Sequence, residues 1–178
     1  GFTAQVSAQS GNTCSSAIPI EVHLNECYFT TVSNQGLTNS GVTPSGCVGY
    51  SGGDLWLSVE LPESGEVYFH TEFLQGGNLL MDINLAYYSG TCGNLQQLGC
   101  EEDGAAGWYP GATLVGEPGE VMYIQLWEVG NDNKGQFNVC ANGTPMCNVP
   151  QATIIRQCLP NNQYSISLNV TSLGDAAE

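Results

Sequence analysis

Residues Asp82 to Asp103 read DINLAYYSGTCGNLQQLGCEED. In the first half Ile83, Leu85 and Tyr87 alternate with Asn84, Ala86 and Tyr88, the period-two signal of a strand with one wetter face. Ser89-Gly90 breaks that strand and Gly93-Asn94 supplies a turn, so two strands folded back on each other are expected. By locality Cys92 and Cys100 staple the hairpin, a closure of about nine residues that stabilises by roughly 2.5 kcal/mol in the chain-entropy model. The stretch ends in Glu101, Glu102 and Asp103, adjacent carboxylates that repel unless water or a cation intervenes. They invite a calcium ion.

On either side the same alternation recurs. Asp54 to Leu61 and Glu66 to Phe73 read as strands, the first closed by Pro62. Val121 to Trp127 is the most apolar β run and suits a central strand, with Gln136 to Cys140 returning as its hairpin partner across Val129 to Gly135. Upstream, Ala17 to Val22 reads as an edge because Pro19 donates no ladder bond, and Asn34 to Gly46 is a long polar loop. No helix is expected. Turn signals every 8 to 12 residues are the mark of a β-sandwich.

At 178 residues the chain can bury one good core and part of a second. Only Lys134 and Arg156 oppose 17 acidic residues, a formal charge of -15, which argues against nucleic acid and anionic membrane as partners. There is no apolar run of about 18 residues, so no membrane insertion is expected. Eight cysteines without zinc-type CxxC spacing point to four disulfides made in an oxidising compartment, hence a secreted or cell-surface protein. Cys147 with Cys158 follows by locality. Cys14, Cys27, Cys47 and Cys140 then allow three connectivities, of which Cys14 with Cys27 and Cys47 with Cys140 is favoured.

Catalytic signals are weak. Gly49-Tyr50-Ser51-Gly52-Gly53 matches the nucleophile-elbow pattern, but a strand rather than a helix follows it, so its glycines are read as a tight turn that aims Asp54. Neither His23 nor His70 is marked as a base. Paired carboxylates among Glu60, Glu101, Glu102 and Glu128 would suit a glycoside hydrolase, a reading that asks for a cleft. Trp108 and Tyr109 form a candidate stacking platform for a sugar, set against a plain role in capping the core.

Taken together, Cys14-x-x-Ala17-Ile18, Gly53-Asp54-Leu55-Trp56, Asp82-x-x-Leu85-x-x-Tyr88-Ser89-Gly90-x-Cys92, Leu98-x-Cys100-x-x-Asp103, Pro118-Gly119-x-x-x-Tyr123-Ile124 and Gly135-x-Phe137 resemble one family. It is that of the pre-peptidase C-terminal-like (PPC-like) modules of large secreted bacterial proteins, similar in style to CUB domains. The resemblance covers roughly residues 12 to 141, and the tail from Cys147 is similar to the opening of fibronectin-like or adhesin-like repeats. It implies an all-β, jelly-roll-like antiparallel sandwich with disulfide staples. The organisation expected is a lead-in over 1-12, the sandwich over 13-141, a linker over 142-147 and a partial second β module over 148-178.

The resemblance further implies non-catalytic work in adhesion, targeting or spacing, with a glycan, a surface polymer or neighbouring modules as partner. It also implies calcium bound by carboxylates at one end of the sandwich. Asp82 stands where such a ligand would be, and the expected set is Asp54, Asp82 and Asp103 with Glu101 or Glu102. A solvated acidic rim without metal, and a structural repeat of an extracellular filament, are the alternatives. Asn142 and Asn169 match the N-glycosylation pattern, which a bacterial origin would leave bare.

Overall fold

A computed structural model of the chain describes residues 10-75, 82-103, 109-146, 151-161 and 163-172. They fall into two compact units, Gly1–Pro145 and Met146–Glu178. The strands of the first unit are β1 (Ile18–Pro19), β2 (Val22–Leu24), β3 (Thr30–Ser33), β4 (Leu55–Glu60) and β5 (Glu66–Glu72), then β6 (Ile83–Thr91), β7 (Asn94–Glu101), β8 (Gly111–Val115), β9 (Val121–Glu128) and β10 (Gln136–Gly143). One sheet, here sheet A, has the order β1-β4-β9-β6-β7; the other, sheet B, has the order β2-β10-β5-β8 with β3 also paired to β10. Pairing is antiparallel except that β1 runs parallel to β4 and β2 parallel to β10. The chain is an all-β sandwich stapled by disulfides.

Alternation builds the inter-sheet core. Leu55, Leu57 and Val59, then Ile83 and Leu85, then Met122, Ile124 and Leu126 face inward from sheet A. Val67 and Phe69, Ala112 and Leu114, and Phe137, Val139 and Ala141 meet them from sheet B. Each such side chain, once buried, contributes about 1.5–3 kcal/mol relative to exposure. A second, smaller core covers the outer face of sheet A. There Trp56, Ala86, Tyr88 and Trp127 pack beneath Val42, Cys47 and Tyr50 of the long segment between β3 and β4.

As expected, β9 holds the centre of its sheet, but β10 is not its partner: β9 belongs to sheet A and β10 to sheet B. Seven loop residues, 129-135, let the chain cross from one layer to the other, and β10 finds β5 instead. The folded body also reaches further than the expected 13-141. Gly11 accepts from Trp56 N and donates to Ser16 O, and β10 runs through Asn142 and Gly143, residues expected in a linker. In the second unit β11 (Gln151–Leu159) and β12 (Gln163–Ser172) form an antiparallel ribbon.

The disulfides are Cys14–Cys92, Cys27–Cys140 and Cys47–Cys100, with Cα–Cα distances of 5.4, 5.7 and 6.0 Å. Cys92–Cys100, expected from locality, is not among them, nor are Cys14–Cys27 and Cys47–Cys140. The β6-β7 hairpin is there, but Cys92 lies in its turn while Cys100 sits opposite Ala86, six residues along from Asn94. That is about 20 Å of strand, beyond the ~7 Å reach of a disulfide. Likewise Cys14 and Cys47 lie over the outer face of sheet A, whereas Cys27 and Cys140 belong to sheet B. Among the described residues Cys158 has no disulfide partner; its expected partner, Cys147, lies outside them.

Candidate functional site

The residues expected to hold calcium divide between two places. Asp54 is wholly buried in the small core over sheet A. Its Oδ2 accepts from Trp56 Nε1 at 3.0 Å and Gln125 Nε2 at 2.9 Å, and its Oδ1 accepts from Tyr50 OH at 3.0 Å and Ser40 N at 3.2 Å. Gln125 in turn bonds Val42 O and receives the Tyr88 hydroxyl at 2.6 Å. Burial first, then the Asp54 charge, pushes the Tyr50 phenol up; burial likewise raises Tyr88, so both remain proton donors. With both oxygens engaged by protein donors, Asp54 fits a hub that ties the long segment to sheet A, not a metal ligand. The glycine turn before it does aim it inward: at Gly53, with φ +71°, a Cβ would strike the Asn131 side chain.

The other carboxylates gather where three strands of sheet A end. Asp82 immediately precedes β6, Glu101 closes β7 opposite Leu85, Glu102 and Asp103 follow it, and Glu128 closes β9 opposite Ile83. Partial burial, then the charges of Asp103 and Glu128, hold the Asp82 carboxyl above the ordinary carboxylate range. Glu128, absent from the expected ligand set, is buried and held in place: it accepts from the backbone N–H groups of Asp132 and Asn133 and from Asn133 Nδ2. Its sequence signal was an acid directly after the most apolar strand. Among the described residues the one ion pair is Glu21 with His23, so no basic side chain neutralises this end. The carboxylates are less tightly gathered than Cys27, His70 and Cys140, whose sulfur and ring-nitrogen atoms all lie within 4.8 Å but whose two sulfurs are spent in a disulfide and so offer no thiolate to a metal.

Tyr109 is 4% exposed and packs in the inter-sheet core, so its ring is not offered for stacking; Trp108 lies outside the described residues. The elbow-like glycines lead into β4, a strand. Glu60 pairs with Val121 at one end of β9 and Glu128 closes the other, about 23 Å apart along the strand, too far for a two-carboxylate glycosidase. No helix among the described residues is long and apolar enough to cross a membrane.

The fold and its staples define a class, the disulfide-bonded two-sheet β-sandwich. No protein-family profile matches the chain, and no curated protein does. Among solved structures it is similar to the pre-peptidase C-terminal domain of a collagenase from Bacillus anthracis, with 11% identity over 69% of this chain and 96% of that one and a TM-score of 0.41.

Proposed function

We propose that this chain is a non-catalytic, calcium-stabilised module of an exported protein, working in attachment rather than in chemistry. The observation that carries the reading is the acidic end of sheet A, where the charges of Asp103 and Glu128 bear on Asp82 and, among the described residues, no basic side chain pairs with them. A hard cation with oxygen ligands suits such a set, and extracellular modules bind calcium at 10⁻⁴–10⁻³ M. Asp82 and Asp103 would supply ligands, with Glu101 or Glu102 beside them and Glu128 as a fixed charge behind. Three disulfides support export, since such bonds persist in oxidising compartments.

The test is thermal unfolding of the oxidised protein in millimolar calcium and in EDTA. At about a hundred times its dissociation constant a ligand stabilises by ~2.7 kcal/mol, a rise of several degrees at this size. That rise is expected to vanish in Asp82→Asn. The sign in EDTA is the reverse: Asp82 is raised by partial burial and then by like charges, so its ionised form opposes folding above the folded-state pKa, and Asp82→Asn should melt slightly higher there. Identical melting with and without calcium would remove the metal from the account.

A second reading, a structural subunit of an extracellular filament, is favoured by the ribbon of the second unit. Ile154, Ile166, Leu168 and Val170 fall on one of its faces by register and are exposed. A two-stranded ribbon is marginal by itself in water, and exposed apolar faces mark interaction sites.

A further inference from the structure

The two outer faces of the sandwich differ. That of sheet A lies beneath the segment between β3 and β4, tied down by Cys47–Cys100, with the turn that holds Cys14 fastened beside it by Cys14–Cys92. Sheet B instead turns rings and carboxylates outward. Along β5 the outward row is Glu66, Tyr68, His70 and Glu72, with Tyr68 opposite Asn142 and His70 opposite Cys140. The Cys27–Cys140 bond draws the turn between β2 and β3 onto this face, and Tyr28 and Phe29 follow Cys27 directly. Phe29 meets His70 edge-on with centroids 5.7 Å apart, His70 lies 5.3 Å from Tyr68, and Tyr28 lies 4.4 Å from His23. Opposite His70, Gly111 leaves room for Tyr68 to cross β8; a Cβ there would come within 2.5 Å of the Tyr68 hydroxyl. The rings are open: Tyr28 is 57% exposed, Phe29 45% and Tyr68 38%.

We propose that this face binds glycans whose pyranose rings carry no anionic groups. Exposed aromatic faces stack on the apolar faces of such rings, and Tyr does so at small conformational cost. Around them stand the carboxylates of Glu21, Glu26, Glu66 and Glu72, Glu26 accepting from Tyr28 OH at 2.6 Å and Glu21 lying 3.8 Å from His23. They accept sugar hydroxyls or pair with sugar ammonium groups, and they repel polyanions. Burial keeps the His70 imidazole below its usual range, and Lys134 is engaged with Asn131, so the face holds no fixed positive charge for an anion. Among the described residues, the two buried side-chain polar atoms that make no hydrogen bond are His70 Nδ1 and Asn142 Oδ1. Both belong to this face, and Asn142 stands between His23 and Tyr68 in register.

The inference deepens the reading of the chain as a binding module and moves the sugar platform from Trp108 and Tyr109 to sheet B. Its test is a glycan array of neutral, amino-bearing and anionic polysaccharides at physiological salt, probed with the oxidised protein and with the Tyr28→Ala/Tyr68→Ala double variant. Both tyrosines are exposed, so the variant should melt as the parent does. Binding confined to neutral or amino-bearing glycans is expected, about ten-fold weaker or lost in the variant. Binding of no glycan, of anionic glycans alone, or with equal strength in the variant would overturn it, as would loss in Trp108→Ala but not in the double variant. A calcium-dependent melt with no glycan bound would defeat this inference and leave the calcium reading standing; glycan binding without a calcium shift would do the opposite.

Discussion

Four donors converge on the Asp54 carboxylate; without it Trp56 Nε1 would stay buried with no acceptor, while Gln125 and Tyr50 would keep one acceptor each. Asp54→Asn keeps the shape but turns an NH2 toward groups that are themselves donors. We expect it to lower stability by about 2–4 kcal/mol in urea unfolding, with calcium binding retained. Unchanged stability would mean that the hub is not what holds the long segment over sheet A. Asp54 was legible as a special acid from the glycines before it, yet its role was not. Its donors Ser40 and Gln125 stand 14 and 71 residues away, and no local pattern announces them. Asp82 and Asp103 were more legible because strand ends of one hairpin bring them together. Glu128 joins them only through the pairing of β9 with β6.

Among the elements, period-two alternation located β4, β5 and β6, because half-buried strands write their burial into consecutive residues, and a run of apolar residues located β9. Pairing is a different quantity. The sheet to which β10 belongs depends on a layer crossing that alternation does not encode, and the disulfides follow pairing rather than proximity in sequence. The ribbon of β11 and β12 shows an element whose pattern is clear and whose apolar face is exposed. If that face mediates filament-like assembly, sedimentation should show concentration-dependent association. Ile166→Lys with Leu168→Lys should weaken it by about ten-fold or more through the loss of two buried side chains. A parent protein that stays monomeric up to high concentration would argue against the structural-subunit reading.

At the scale of the molecule, one unit has two unlike outer faces: sheet A covered by its own chain, sheet B bare and ringed. A net charge of -15 carried with almost no basic side chains underlies both proposals, the calcium at the acidic end of sheet A and the preference for glycans without anionic groups. The Cys27–Cys140 bond closes a separation of 113 residues, which the chain-entropy model values at about 4–5 kcal/mol, and it also sets Tyr28 and Phe29 on the open face. The even cysteine count made staples legible, while their connectivity required knowing which face each cysteine reaches. The most direct measurement is therefore non-reducing peptide mapping by mass spectrometry. The account predicts Cys14 joined to Cys92, Cys27 to Cys140 and Cys47 to Cys100. Cys92 joined to Cys100, or Cys14 to Cys27, would contradict it, because the first pair stands about 20 Å apart along the hairpin and the second is divided between the outer faces of sheets A and B.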